Sequence, residues 1–176
     1  MKKSDVIKRA RMIRAIVSDV DGVLTDGGII YGPGKCEIKR FHVHDGLAVA
    51  LAQKAGIRVF IVSARKSEAL RRRSREMGVD RLWQGFSDKG ALFGILVREF
   101  KLSPREICYV GDDLPDLPLL RKVGLAVSVP SAVGEVRKTA MLVTQKGGGE
   151  GALREVVEFV LKAQGRWKDV ANAYLG

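Results

Sequence analysis

Cysteine is scarce in this sequence. Only Cys36 and Cys108 occur among 176 residues, too few for a disulfide framework. Cys108 lies in the apolar run Ile107–Val110 and reads as a small buried hydrophobe, while Cys36, in a Gly-rich polar stretch, suggests no metal site. Aromatic residues are also few, at 6%, and they seldom interleave with the basic side chains, which argues against a surface that stacks single-stranded nucleic acid. No apolar run approaches the ~20 residues that span a bilayer. The segment Met1 to Arg14 is basic but lacks the apolar core and cleavage site of a signal peptide. A cytoplasmic protein with no membrane partner is the expectation. Asparagine occurs once, at Asn172, in a Lys/Arg/Glu-rich composition of the kind favoured at high temperature.

Acidic residues are in deficit, 20 against 31 basic ones, for a net charge of +11. A basic surface can attract nucleic acid, anionic membranes or acidic small molecules. The densest run, Arg71-Arg72-Arg73 with Arg75, falls in a helical pattern with Leu70 and Met77. It reads as a solvated helix face, so no nucleic-acid partner is expected. A basic nucleic-acid-binding module is the remote alternative, and its binding would weaken steeply with salt.

What the sequence does have is alternation. Short β-like runs rich in branched residues (Ile13–Val20, Ile57–Val62, Ile107–Val110, Leu125–Val129, Met141–Val143) alternate with amphipathic stretches, as in a parallel α/β sheet. Their continuous apolar character is that of strands covered on both faces. Helical periodicity marks Gly46–Ala55, Ser67–Met77, Lys89–Phe100, a short irregular Leu114–Val123 broken by Pro115 and Pro118, Ala132–Thr139, Glu150–Gln164 and Trp167–Leu175. Two stretches break the rhythm. Gly27–Phe41 holds two β-like runs, Ile29–Tyr31 and Glu37–Phe41, around Gly32-Pro33-Gly34, and reads as a hairpin inserted after the first strand. Lys146–Gly151 is a Gly-rich linker before the final long helix. The expected architecture is one three-layer Rossmann-like domain over 1–176, with the hairpin at 27–41, a C-terminal segment at 146–176 and no large cap domain.

In open α/β sheets, ligands bind at the carboxyl ends of the strands. Asp19-Val20-Asp21-Gly22 follows the first strand, and Asp19 and Asp21, two apart, project from one side if the strand continues. Ser63 and Arg65 follow the second. Ser87-Asp88-Lys89-Gly90 is expected after a third strand, just inside a helix start. Gly111-Asp112-Asp113-Leu114-Pro115-Asp116 follows the fourth. Carboxylates gathered in one crevice repel one another unless a cation joins them, and hard oxygen donors with room for water favour Mg²⁺. Lys89, Ser63 and Arg65 add donors suited to a phosphoryl group, which leaves one carboxylate free to attack.

DVDGVLTDG (19–27), Ser63, Lys89 and GDDLPD (111–116), in that order, resemble the haloacid dehalogenase superfamily over nearly the whole chain. FHVHDG (41–46), SARKS (63–67) and GGGEGALRE (147–155) are similar to its small sugar-acid phosphatases. The resemblance implies Mg²⁺-dependent hydrolysis of a sugar phosphate through an aspartyl-phosphate. The substrate it implies is an octulosonate 8-phosphate of lipopolysaccharide biosynthesis, with a nonulosonate 9-phosphate as the alternative. It makes Asp19 the nucleophile and Asp21 the acid–base. It assigns Mg²⁺ to the Asp19 side chain, the Asp21 carbonyl and Asp112, and the phosphoryl oxygens to Ser63 and Lys89. Asp113 and Asp116 would orient water or Lys89. It further implies a homotetramer in which hairpins and C-terminal segments of neighbouring subunits complete each site, with Arg65, His44 and Arg154 near the substrate carboxylate or sugar. His44 stands where such relatives usually carry arginine.

Overall fold

A computed structural model describes residues 2–172 and 174. Among them, six strands form one parallel sheet: β1 (Ala15–Ser18), β4 (Arg58–Ser63), β5 (Arg81–Gln84), β6 (Ile107–Gly111), β7 (Leu125–Ser128) and β8 (Leu142–Val143). Their order is β5-β4-β1-β6-β7-β8. The chain runs outward from β1 through β4 to β5, then returns to β1's other flank at β6 and runs out to β8. β1 is therefore the point at which the winding reverses, and the crevice there is where ligands of such sheets sit.

Alternate strand residues feed two cores, one on each side of the sheet. Ile16, Val59, Ile61, Val110 and Val127 pack with α1 (Lys3–Ala10), α2 (Val43–Lys54), α3 (Glu68–Met77) and α7 (Ala152–Ala163). Val17, Phe60, Val62, Tyr109 and Ala126 face α4 (Lys89–Arg98), α5 (Leu117–Leu120) and α6 (Gly134–Thr139). This double covering is why the strands read as unbroken apolar runs. The three-layer α/β architecture is thus the one that the sequence pattern leads one to expect.

The differences have local causes. β1 stops at Ser18, although its apolar run continues to Val20: the Val20 carbonyl accepts hydrogen bonds from the N–H groups of Val23, Leu24 and Thr25 and rolls the chain into a turn. β5 escapes the apolar-run criterion because it is an edge strand of exposed and half-buried residues. The basic N-terminal segment forms α1, which buries Val6 and Ala10. Leu114–Val123 resolves into a 3₁₀ turn, Leu114–Asp116, followed by α5. The final helix, α8, covers Trp167–Asn172; positions 173 and 175 of the expected helix lie outside the described residues. The basic run on α3 is a solvated face: Arg71, Arg72 and Arg75 are exposed, with Arg71 paired to Glu68 and Arg72 to Glu76.

The inserted hairpin is present but short. β2 (Ile30–Tyr31) pairs antiparallel with β3 (Glu37–Ile38) in the register Ile30↔Ile38 and Tyr31↔Glu37. Such a ribbon cannot stand alone in water, and it leaves Ile29, Ile30 and Ile38 half exposed and Tyr31 75% exposed.

Candidate active site

The sequence motifs meet at the carboxyl ends of β1, β4 and β6. Asp19 follows β1 directly and its N–H donates to the Val110 carbonyl at 2.9 Å, which carries the β1–β6 pairing one residue past the strand. Gly22 turns the chain back at φ +94°, and a Cβ there would lie 2.0 Å from Asp112 Oδ2. Both the backbone angle and the close carboxylate demand glycine. Behind this loop, Gly148 packs so tightly that its own Cβ would come within 2.0 Å of the Gly22 carbonyl oxygen. The Gly149 N–H donates to the Val23 carbonyl at 3.1 Å. The Gly-rich linker is thus a backbone brace for the first motif.

Lys89 opens α4, whose N-cap Asp88 accepts from the Ala91 N–H at 3.0 Å. Its ammonium lies 3.0 Å from Asp19 Oδ1 and 2.5 Å from Asp116 Oδ1, and its side chain is 5% exposed. Asp116 is saturated: Oδ1 also accepts from the Tyr109 hydroxyl at 2.5 Å, and Oδ2 accepts from the N–H groups of Asp112 and Asp113 at 2.9 and 3.1 Å. Asp116 therefore fixes both Lys89 and the turn that aims Asp112. Asp113 is spent on capping that turn, accepting from the Leu114 N–H at 2.8 Å.

Oxygens of Asp19, Asp112 and Asp116 gather within 4.8 Å of one another. Burial pushes Asp19 up to about 6, aided by Asp116 and opposed by the Lys89 ammonium. Burial, with Asp19 and Asp116 nearby, pushes Asp112 up to about 7. Burial disfavours the Lys89 ammonium, but Asp19 and Asp116 outweigh it and raise Lys89. One lysine cannot neutralise this set. Asp112 Oδ1 is buried and has no hydrogen-bond partner among the described residues. An orphaned carboxylate oxygen beside a second carboxylate, with hard donors only, fits a divalent cation such as Mg²⁺. Asp19 and Asp112 are the side chains with capacity to hold one.

Asp21 lies outside this carboxylate cluster. One of its oxygens pairs with Lys39 and the other accepts from Ser63 Oγ at 3.4 Å. The Arg65 N–H in turn donates to Ser63 Oγ at 3.1 Å. The Arg65 guanidinium is taken by Glu37 of β3, at 2.7 Å. His44 and Arg154 are not brought to Asp19 within one chain. They line a separate cavity of about 500 Å³ beyond the Gly-rich linker, together with His42, Lys146 and Glu150. Sequence reasoning passed over Glu37 and Lys39. Their spacing of two on a β-like run, which puts both on one side, is the signal that could have found them. Tyr109 was passed over too, as one more member of an apolar strand.

No family model matches the chain. It is 41% identical over 163 residues to the 3-deoxy-D-manno-octulosonate 8-phosphate phosphatase KdsC of Escherichia coli strain K12, an alignment that covers 93% of this chain and 87% of that one. The chain belongs to this phosphatase family, within the haloacid dehalogenase superfamily. The solved family member from Moraxella catarrhalis, in complex with magnesium ion, phosphate ion and KDO, shares 35% identity at a TM-score of 0.95, covering 98% of this chain and 99% of the other. A cobalt-bound member from Haemophilus influenzae shares 34% identity at a TM-score of 0.89, covering 96% and 99%. The superfamily resemblance read from the four motifs is thereby borne out.

Proposed function

We propose that the protein is a Mg²⁺-dependent phosphoric monoester hydrolase that converts 3-deoxy-D-manno-octulosonate 8-phosphate to the free sugar acid and inorganic phosphate, in lipopolysaccharide biosynthesis. The observation that carries this reading is the buried Asp19–Lys89 pair beside the unpartnered oxygen of Asp112. Family membership supplies the substrate.

Asp19, the Asp21 carbonyl and Asp112 would hold Mg²⁺, and the chemistry it would supply there is neutralisation of the carboxylates and of the transferring phosphoryl group. An Asp19 oxygen attacks phosphorus and forms the aspartyl-phosphate, while Asp21 gives its proton to the departing sugar oxygen. Asp21 then takes a proton from water as that water attacks phosphorus, which releases phosphate and restores the Asp19 carboxylate. Lys89 and Ser63 bind the phosphoryl oxygens, and Lys89 offsets charge that grows in the transition state. Asp116 holds Lys89, and Asp113 holds the turn beneath Asp112.

We also propose a cytoplasmic homotetramer in which the 27–41 hairpin and the 146–176 segment of one subunit complete a neighbour's site. The exposed Ile29, Ile30, Tyr31 and Ile38 support this, since a monomer has no use for such a cluster on a marginal ribbon. Arg65, His44 and Arg154 would then meet the substrate's carboxylate and hydroxyls across the interface. Among the described residues no helix is long and apolar enough to cross a membrane. The partly paired α3 arginines give no continuous strip for nucleic acid.

Phosphate release from a panel of sugar phosphates tests the reading. The octulosonate 8-phosphate should give the highest kcat/KM, chelation should stop turnover and Mg²⁺ restore it. A higher kcat/KM on a nonulosonate 9-phosphate would move the assignment to that substrate, and turnover that survives chelation would end the mechanism.

A further inference from the structure

The hairpin brings two charged side chains into the site of its own chain. Lys39 follows β3 and its side chain is only 2% exposed. Its ammonium pairs with Asp21 Oδ1 and lies 2.9 Å from Glu37 Oε1. Glu37 Oε2 takes the Arg65 guanidinium at 2.7 Å. The Arg65 N–H reaches Ser63 Oγ at 3.1 Å, and that hydroxyl donates to Asp21 Oδ2 at 3.4 Å. These contacts close a ring: Asp21, Lys39, Glu37, Arg65, Ser63 and back to Asp21.

We propose that Lys39 is a positioning residue for the reaction, which holds the Asp21 carboxyl group in the orientation from which its protonated form gives a proton to the leaving oxygen. The argument is geometric. Asp21 sits on a turn at the edge of the carboxylate cluster, and a carboxyl group free to rotate about its Cβ–Cγ bond presents the correct oxygen only part of the time. In the resting site Lys39 from the hairpin holds Oδ1 and Ser63 from β4 donates to Oδ2; when the Ser63 hydroxyl turns to the phosphoryl oxygens, Lys39 still fixes Oδ1 and Oδ2 is free to carry the proton. Lys39 is held in turn by Glu37, and Glu37 by Arg65 on the loop that carries Ser63. The hairpin therefore serves its own site through Lys39, apart from anything its exposed apolar face does for a neighbour. The ring also gives Arg65 an occupation in the resting site that competes with substrate contact. A positioned acid contributes ~10²–10⁴-fold to proton transfer, and only substrates with basic leaving groups need that proton.

This inference rests on the proposed role of Asp21, and the test separates the two. The rate of leaving-group release in a single turnover, which excludes the aspartyl-phosphate hydrolysis common to all substrates, is compared for the wild type, Lys39→Met, Asp21→Asn and the double variant on two Mg²⁺-loaded reactions. One is hydrolysis of a primary sugar phosphate that the wild type accepts. The other is hydrolysis of p-nitrophenyl phosphate, whose leaving group departs without a proton. Lys39→Met should lower the single-turnover release rate on the sugar phosphate ~10²-fold and lower it at least tenfold less on the aryl ester, and Lys39→Arg should recover part of the loss. Adding Lys39→Met to Asp21→Asn should cost nothing further on the sugar phosphate, because the residue acts through Asp21. Equal losses on both substrates, or a further loss in the double variant, would overturn the proposal and make Lys39 a hairpin strut. If Asp21→Asn alone loses no more on the sugar phosphate than on the aryl ester, the role of Asp21 itself is wrong.

Discussion

At the carboxyl ends of β1 and β6, Asp19, Lys89 and Asp116 are buried and gripped. Asp116 alone accepts four hydrogen bonds, and Lys89 bridges two carboxylates. On the hairpin and the rim around His44, the reverse holds: Ile30 and Tyr31 face solvent, Val43 is 73% exposed, and the 500 Å³ cavity holds His44 and Arg154 apart from the cluster. Phosphoryl transfer depends on donors and carboxylates fixed before the substrate arrives, so one chain builds that part complete. On the proposed reading, recognition of the sugar falls to the surfaces that one chain leaves open. The sharpest way to break this division is Asp19→Asn, which keeps shape and removes the attacking oxygen's charge. Turnover should fall by at least ~10⁴-fold with an unchanged circular dichroism spectrum. Activity within tenfold of wild type would show that the buried cluster is not the reacting centre.

The cluster's rigidity predicts the next effect. Gly22→Ala puts a methyl group where Asp112 Oδ2 now sits, on a residue held at φ +94°. The carboxylate must move, and displacing a metal-holding group or its support commonly costs 10–100-fold in metal affinity or activity. Isothermal titration with Mg²⁺ should show a weakening of that order. A Mg²⁺ Kd within twofold of wild type would mean that Asp112 can shift without cost, and that its placement is less fixed than the buried contacts imply.

The same division governs how much was legible in the sequence. Asp19 and Asp112 were readable because each follows a strand marked by a continuous apolar run, and such runs report burial on both faces, while Lys89 was readable from the helix start that it opens. Asp116 was legible as a member of the motif, yet its partnership with Tyr109 was not, because a buried tyrosine in the run Ile107–Val110 looks like any other core residue. β5 was missed for the opposite reason, since Arg81–Gln84 is too exposed to leave an apolar trace. Lys39 is the instructive case. A lysine in a Gly-rich, charged hairpin reads as solvated surface. Only the fold, by laying β3 over the first motif, covers its side chain and pairs it with the partly exposed Asp21.

The exposed half of the comparison is sharpened by Tyr31→Asp. If the hairpin face meets a neighbouring subunit, a carboxylate there is desolvated against apolar surface and assembly should weaken. Size-exclusion chromatography should then report a mass below four chains, and KM for the sugar phosphate should rise several-fold while turnover of p-nitrophenyl phosphate changes less. An unaltered mass near one chain in both proteins would show that the open face is not an assembly surface.

The smallest expected effect lies beneath the rim, at Asp45 in the first turn of α2. It is 2% exposed, its Oδ1 accepts the Arg154 N–H at 2.9 Å, and its Oδ2 has no partner among the described residues. Burial pushes its carboxyl up from 3.8 to about 6, against the pull of the Arg154 N–H, Arg73 and His44. The sign follows from proton binding. Between pH 4 and pH 6 the folded protein keeps a proton that the unfolded chain has released, so this group makes stability fall as pH rises. Above pH 6 the penalty levels off, at roughly 1–3 kcal/mol. Asp45→Asn retains an oxygen for the Arg154 N–H and cannot ionise, so its melting temperature should exceed that of wild type at pH 8 and converge with it near pH 4. A wild type that is the more stable of the two at pH 8 would mean that Asp45 is held ionised by Arg73 (whose Nε is likewise buried without a partner). The contact between α2 and the Arg154 end of α7 would then be anchored by an ion pair rather than a neutral carboxyl group.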